Sequence, residues 1–254
     1  MVDHGLGARM KQYEQPTQML LPRRTYTVLR LDGKSFHTFT AGCDKPYDES
    51  LADALDNAAL ALLAEGMGGR LGYGQSDEYS FLLTDFDAPN TEAWFGGNVQ
   101  KIVSVAASVF TAEFNWAYGG VTQGYFDARV FTLPSREEAL NYFIWRQIDC
   151  VRNSVSMLAS CCISHQELMG KTVEQRKTML EERGQYWDNW PTPYKHGRVV
   201  RRTPTQKTVT WRHKRTSEVH EQTVEALAWS VDYHVPLFVP NRTYLEVLIP
   251  EVPA

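Results

Sequence analysis

Hydrophobic and polar residues alternate at two different periods along this chain, and the two periods predict a mixture of strands and helices. Tyr26 to Leu31 is a short run of β-branched and aromatic residues that ends at Asp32-Gly33, which is typical of a strand followed by a turn. Residues 70–84 are predicted to form two short strands around a tight turn at 75–77. A further strand is predicted at about 125–133.

Apolar residues recur at helical spacing in the segments between these strands. The spacing predicts one helix over 48–66 and another over 95–109. A serine or threonine followed three residues later by Glu or Gln is the pattern of an N-terminal capping box. This pattern predicts a long helix over about 135–164 and a shorter one over 172–184.

The order strand, helix, hairpin, helix, strand resembles a split βαβ arrangement. We therefore predict an α+β fold in which helices pack on one face of an antiparallel sheet, formed by residues 1–165. Residues 166–254 are predicted to form a helical and β-rich C-terminal region. No Gly/Ser-rich linker divides the two parts, so the second part is expected to pack on the first.

Composition narrows the class of protein. The 254 residues are 43 % hydrophobic and 22 % charged, with a net charge of −4, which excludes a disordered or fibrous chain. Neither a membrane span nor a secretory signal is predicted, because there is no run of eighteen apolar residues and no basic-then-apolar N-terminus. The four cysteines have no CxxC spacing, which argues against a disulfide framework. We expect a cytoplasmic protein that does not bind membranes.

Charge is concentrated in one segment near the C-terminus. From residue 189 to residue 217 the chain has eight basic residues and no acidic one, with Tyr194 and Trp211 among them. Basic residues interleaved with aromatic ones are typical of RNA-binding surfaces. The candidate RNA-binding residues are Lys195, Arg198, Arg201, Arg202, Lys207, Arg212, Lys214 and Arg215. A solvated face or a basic β-hairpin would give the same pattern, so both interpretations stay open.

Three carboxylates occupy positions where strands end. Asp32 closes the first predicted strand, and Asp77 and Glu78 lie at the turn of the predicted hairpin. If the hairpin pairs beside the first strand, these carboxylates converge and offer the hard oxygen ligands that Mg²⁺ prefers. Two such ions can stabilise the attacking and leaving oxygens of a phosphoryl transfer. The alternative is an ordinary strand-ending turn and an ordinary hairpin tip.

The residues after Asp32 add phosphate-binding character. Gly33-Lys34-Ser35-Phe36-His37 could begin a short helix whose free N–H groups face an anion. Lys45 and Lys101 could neutralise phosphate charge. Taken singly, each lysine also fits a solubilising surface charge, His37 a structural histidine and Phe36 a core residue.

Five ordered blocks of sequence resemble the tRNA-His guanylyltransferase superfamily, whose members add nucleotides to RNA in the 3′-to-5′ direction. The blocks are Arg30–His37, Lys45-Pro46, Tyr73–Phe81, Phe126–Val130 and Trp145–Cys150. The resemblance covers about residues 24–165. It implies a polymerase-palm-like catalytic domain, usually assembled as a homotetramer, that acts on tRNA with ATP or GTP as activating and substrate nucleotides.

The resemblance also implies roles for individual residues. Two Mg²⁺ ions would be held by Asp32, Asp77 and the carbonyl of Gly33, with Glu78 supporting the site. The triphosphate would be bound by the backbone of Gly33, Lys34, Ser35, Phe36 and His37 and by Ser76, with Lys45 and Lys101 as charge partners.

One segment departs from the eukaryotic members of this superfamily. They carry His-Ile-Asn-Asn-Leu-Tyr-Asn directly after the Asp-Cys pair, whereas residues 151–157 here are Val-Arg-Asn-Ser-Val-Ser-Met. The pattern is more similar to the guanylyltransferase-like proteins that repair tRNA 5′ ends by template-dependent addition. The alternatives are dedicated addition of G−1 to tRNA-His, a nucleotide cyclase built on the same carboxylate geometry, and a non-catalytic RNA-binding protein.

Overall fold

The computed structural model describes residues 5–212 and 219–253, and one antiparallel sheet organises the fold within these ranges. Its strands are β1 (Tyr26–Gly33), β2 (Gly69–Gln75), β3 (Glu78–Leu83), β4 (Phe126–Leu133), β5 (Arg198–Arg212) and β6 (Val219–Asp232). The order across the sheet is β4-β1-β3-β2-β5-β6, and each neighbouring pair is antiparallel. The predicted α+β class is therefore confirmed.

Helices connect and cover these strands. They are α1 (Leu6–Glu14), α2 (Phe36–Phe39), α3 (Glu49–Ala64), α4 (Val99–Tyr118), α5 (Arg136–Cys162), α6 (His165–Leu168), α7 (Val173–Glu181), α8 (Thr192–Lys195) and α9 (Thr243–Leu248). Short polar side chains begin the long ones: Asp48 accepts the amide of Leu51 at α3, and Ser135 accepts the amide of Glu138 at α5. No helix in the described ranges is long and apolar enough to cross a membrane.

Helices cover both faces of the sheet. One face packs Leu29, Leu31 and Phe81 against α3 and α4. The other face packs Val28, Tyr73 and the C-terminal Phe238 with α5 and α9. The expectation that helices pack on one face was incomplete, because successive residues of β1 and β3 are apolar and point to opposite sides, so both sides need a cover.

The C-terminal region is part of the same sheet and core. Val199 and Val200 of β5 are fully buried, and Val200 is aligned with Gly72 of β2. The sequence-based boundary at residue 165 thus separates residues that share one sheet. Antiparallel pairing joins strands that are distant along the chain, and a boundary drawn from composition does not detect that pairing.

Beyond the sheet, β5 and β6 continue as a two-stranded ribbon. Only residues 198–200 of β5 pair with β2. In contrast, β5 and β6 are paired along almost their whole length, from Val199 opposite Asp232 to Arg212 opposite Val219. We call residues 204–212 and 219–228 the ribbon; nearly all of them are exposed.

Candidate functional site

The sheet brings the three predicted carboxylates to one edge. Asp32 of β1 is directly aligned with Glu78 of β3, and Asp77 lies in the turn just before Glu78. The amide of Gly33 donates to the carbonyl of Asp77 at 3.2 Å, which fixes the two chain segments together. The charge of Asp32 acts to raise the pKa of both Asp77 and Glu78, as expected for neighbouring carboxylates.

The backbone is strained beside these carboxylates. Ser35 and Ser76 both have positive φ, at 55° and 49°, a region that serine rarely adopts. Gly33 has no room for a side chain, because a Cβ there would collide with the ring of Phe36. The two segments predicted to bind phosphate, around Ser35 and around Ser76, therefore each contain a serine in a backbone conformation that serine disfavours.

A cavity of about 590 Å³ opens at this edge of the sheet. Such a volume suits a nucleotide-sized ligand. The predicted metal- and nucleotide-binding residues in its lining are Gly33, Ser35, Phe36, His37, Lys45, Ser76 and Asp77. The structure thus brings most of the predicted phosphate-binding residues to one space, next to the carboxylates.

Asp77 is a half-buried carboxylate in the lining of the cavity. Burial raises the pKa of its carboxyl, and the hydroxyl of Ser76, which donates at 3.0 Å, opposes that rise. Neither Asp77 nor Asp32 forms an ion pair within residues 5–212 and 219–253. Burying an uncompensated carboxylate is unfavourable, so a bound cation would stabilise this arrangement.

The donor atoms at this edge suit Mg²⁺. No group of three or more His, Cys, Asp or Glu side chains in the described ranges forms a metal site. The available donors are the carboxylates of Asp32 and Asp77 and the carbonyl of Gly33. Mg²⁺ typically takes one or two protein carboxylates and fills its other positions with water and phosphate, so this sparse oxygen set fits the ion.

Glu78 is held by two arginines and a serine. Its carboxylate lies 2.8 Å from Nε of Arg146 and 3.8 Å from Nη1 of Arg30, and it accepts the hydroxyl of Ser80 at 3.3 Å. Burial raises the pKa of Glu78, while the two arginines act to lower it. Glu78 is a supporting residue that ties β3 to α5, rather than a group aimed into the cavity.

The predicted lysines divide into different environments. Nζ of Lys45 donates to the carbonyl of Thr40 at 3.0 Å, and Lys45 lines the cavity. The amides of Gly33 and Lys34 already donate to the carbonyls of Asp77 and Tyr125, at 3.2 Å and 2.8 Å, so the prediction that these two amides bind phosphate was wrong.

Lys101 does not reach the cavity within one chain. It lies in the first turn of α4, whereas the cavity residue Phe36 packs on Phe114 near the other end of that helix. The rise of an α-helix places these two positions about 20 Å apart. Grouping Lys101 with the triphosphate residues was therefore wrong for a single chain.

The far end of the cavity was not predicted. Tyr47 and Tyr194 stack with their ring centres 3.8 Å apart, and Trp190 meets Tyr47 edge to face. Asn153 and Met157 of α5 line the opposite wall. The segment at which the sequence departs from the eukaryotic pattern is therefore a wall of the cavity itself.

Known proteins share this architecture. Residues 7–134 match the tRNAHis guanylyltransferase (Thg1) family. The chain is 30 % identical to the tRNA(His) guanylyltransferase of Schizosaccharomyces pombe, over 94 % of this chain and 97 % of the relative. The chain belongs to the tRNAHis guanylyltransferase family. Members of this family are nucleotidyltransferases, so the chain is an enzyme and the non-catalytic alternative is excluded.

Two solved structures of a bacterial tRNA(His) guanylyltransferase (Thg1)-like protein are similar over almost their whole length. The complex with ATP is 36 % identical with a TM-score of 0.82, and the complex with GTP is 34 % identical with a TM-score of 0.76. Each comparison covers 96 % of this chain and 99 % of the other. The fold of this family member is therefore that of the Thg1-like proteins.

In this guanylyltransferase-family chain, Arg198 is not available to RNA. It is 3 % exposed, and its Nε donates to the carboxylate of Asp56 at 2.7 Å. The hydroxyl of Tyr79 donates to the same oxygen at 2.6 Å. The RNA-binding prediction was wrong for Arg198, because β5 enters the sheet at this residue and buries its side chain against α3.

The other predicted RNA-binding residues are distributed along β5 and just before it. Lys195 is half-buried and donates to the carbonyl of Asp188 at 2.6 Å, and Arg201 pairs with Asp232 at 3.0 Å. Arg202 is exposed near the sheet, and the exposed Lys207 and Arg212 lie on the ribbon. Lys214 and Arg215 lie outside the described residues.

Proposed function

We propose that this chain is a Mg²⁺-dependent nucleotidyltransferase that adds nucleotides in the 3′-to-5′ direction to the 5′ end of tRNA, as a template-dependent repair reaction. The observation that carries the proposal is that Asp77, Ser76 and Lys45 line one nucleotide-sized cavity at the sheet edge that also holds Asp32. The family membership and the relatives solved with ATP and GTP support the same interpretation.

The cavity offers a place for each part of a nucleoside triphosphate. The cavity lining includes Ser35, Phe36 and His37 at the start of α2 together with Lys45, and these residues would bind the phosphates. Asp32, Asp77 and the carbonyl of Gly33 would hold Mg²⁺. When bound, the ion would neutralise charge on the transferring phosphate. The aromatic end, with Tyr47 and Tyr194, would exclude water from the sugar and base.

The reaction consists of two phosphoryl transfers. In the first, the 5′-monophosphate of the RNA attacks the α-phosphate of ATP, which forms an adenylylated 5′ end and releases pyrophosphate. In the second, the 3′-hydroxyl of an incoming nucleoside triphosphate attacks that activated phosphate and releases AMP. Such transfers depend mainly on positioning and charge stabilisation, which the fixed sheet edge supplies.

Template-dependent repair is favoured over dedicated G−1 addition by the cavity wall. Residues 151–157 lack most of the segment that accompanies tRNA-His specificity in the eukaryotic pattern, and Asn153 and Met157 of this segment face the cavity. The similarity to the fission-yeast guanylyltransferase over 94 % of the chain keeps G−1 addition as the second candidate.

The test is nucleotide incorporation into a 5′-monophosphorylated tRNA that lacks its first nucleotide, with Mg²⁺, ATP and each labelled triphosphate in turn. We expect incorporation that follows the opposite base when that base is changed. Addition of G to full-length tRNA-His alone would select the second candidate. A cyclic nucleotide formed without any RNA would instead identify a cyclase.

Matched variants connect this activity to the site. Asp32→Ala should abolish incorporation, whereas Asp127→Ala should retain it. Asp127 is aligned directly with Asp32 on β4, but it is largely exposed and contacts Arg129. Equal loss in both variants would contradict the specific role of Asp32.

A further inference from the structure

The outer face of α5 carries a strip of exposed side chains for which the sequence predicted no role. Trp145, Ile148 and Arg152 are spaced so that they lie on one side of the helix. Trp145 is 53 % exposed and Ile148 is 56 % exposed, whereas their neighbours Arg146 and Gln147 are buried. We call these three residues the α5 outer face.

This face lies beside the catalytic carboxylates. The guanidinium carbon of Arg146 is 4.2 Å from the centre of the Trp145 ring, and Nε of the same arginine is 2.8 Å from Glu78. Glu78 is aligned with Asp32 in the sheet. Side chains alternate along β1, so Asp32 shares a face with Val28, the face that α5 covers. Trp145 and Asp32 are therefore on the same side of the sheet, with Arg146 and Glu78 between them.

Two exposed cations lie on the same side of the sheet as Trp145. Arg152 lies two turns further along α5 and contacts Asp149, and its side chain is 64 % exposed. Arg129 of β4 is aligned with Arg30 of β1 and has a half-exposed side chain. An aromatic ring with guanidinium groups around it suits nucleic acid, because the ring stacks on a base while the cations meet phosphates.

We propose that the α5 outer face binds the 5′-terminal end of the RNA substrate, with Trp145 stacking on its terminal base pair. This inference rests on the proposed function. The lining of the nucleotide cavity, as far as the described residues form it, does not include Trp145, Ile148 or Arg152. The triphosphate therefore occupies the cavity, and the RNA end approaches the carboxylates from the α5 side, so that the two substrates meet at Asp32 and Asp77.

The size and charge of the surface favour RNA over a second copy of this chain. A stable protein–protein interface buries about 800 Å² on each partner. Two half-exposed apolar side chains supply only a small part of that area. The two exposed arginines match the charge of a phosphate backbone, and their position on the side of the carboxylates is where an RNA 5′ end must arrive.

The test compares Trp145→Ala and Trp145→Phe with Trp116→Ala. Trp116 is a matched control, because it is 82 % exposed on α4, which covers the opposite face of the sheet. We expect Trp145→Ala to raise the KM for the 5′-truncated tRNA about tenfold, as removal of one base-stacking ring predicts. The KM for ATP should stay unchanged. Phe should restore most of the RNA affinity, and Trp116→Ala should leave both constants unchanged.

Direct binding of labelled, 5′-monophosphorylated tRNA, measured by fluorescence anisotropy, makes the test independent of catalysis. If the wild-type chain incorporates no nucleotide, the proposed function fails, but a weaker tRNA affinity of Trp145→Ala would still support this surface. Unchanged tRNA affinity in Trp145→Ala would overturn the inference. A smaller assembly of Trp145→Ala in solution, measured by light scattering, would overturn it in favour of an interface between copies.

Discussion

The two ends of β5 carry the same kind of side chain in opposite environments. Arg198 lies where β5 joins the sheet and is buried against Asp56, whereas Lys207 lies on the ribbon and is exposed. The strand pairs with β2 only at its first three residues, so β2 neighbours Arg198 but not Lys207. A basic residue in this chain therefore stabilises the fold or faces solvent according to the neighbouring strand.

Asp77 extends the comparison to charges that serve catalysis. Burial acts to lower the pKa of Arg198, but the carboxylate of Asp56 and the neighbouring Tyr79 outweigh burial, so the pKa is raised. Asp77 is half-buried, and it has no ion-pair partner in the part of the chain that the structure describes. The paired Arg198 therefore stabilises the fold, whereas the unpaired carboxylate of Asp77 is accessible to a ligand in the cavity.

Replacing Asp77 should have the largest effect. We expect Asp77→Asn to lower nucleotide transfer by about a thousandfold or more, because a ligand that positions charge in the transition state is removed. The same variant should have a higher free energy of unfolding at pH 7 in EDTA. Burial raises the pKa of Asp77, so its ionised form opposes folding at neutral pH.

The pH dependence of that stability difference provides the check. As the pH falls through the folded and then the unfolded pKa of Asp77, the wild-type carboxyl becomes protonated, and the advantage of the asparagine should disappear. Urea unfolding at a series of pH values measures it. A lower stability of Asp77→Asn at pH 7 would show that the aspartate is compensated in the folded chain.

Removing Arg198 should have the next largest effect, and on stability. Arg198→Ala leaves Asp56 buried without its partner, which costs about 3–5 kcal/mol in comparable buried pairs. For a chain of this size we expect Tm to fall by about 10 °C in thermal unfolding. Lys207→Ala is the control from the same strand and should leave Tm unchanged. If Arg198→Ala had the Tm of the wild-type chain but bound RNA more weakly, Arg198 would be an RNA-binding residue after all.

Removing ribbon charges should have the smallest effect, and on RNA affinity alone. The double variant Lys207→Ala/Arg212→Ala should bind tRNA more weakly without a change in Tm. Its plot of log affinity against log salt concentration should be less steep by about two, because two fewer phosphates are neutralised. The control is Glu221→Gln/Glu225→Gln on the partner strand, which should not weaken binding. An unchanged salt slope in the double variant would remove the ribbon from the RNA interface.

Local structure was predictable from the sequence where residues close together in the chain determine it. The turn that carries Asp77, the strand that ends at Asp32 and the helix that begins after Asp48 all follow from short-range patterns, and the structure has each of them. The resemblance to a known family added the grouping of these segments around one site, which their separation along the chain conceals.

Partners that are distant in the chain could not be predicted in the same way. Arg198 and Asp56 are 142 positions apart, and Arg146 meets Glu78 only because α5 crosses the second face of the sheet. Lys101 was misplaced because the direction of α4 relative to the cavity is a tertiary property. Side-chain type identifies candidates, but strand order and helix direction decide which of them meet.

The inner and outer parts of β5 should differ in local stability. Two-stranded ribbons are only marginally stable in isolation, whereas the first residues of β5 are held by β2 and by both cores. The amide protons of residues 205–212 will therefore exchange with solvent through local separation of β5 from β6, and those of Val199 and Val200 only when the whole sheet unfolds. One continuous strand thus belongs to two cooperative units, and the outer unit can melt and re-form while the catalytic edge stays folded.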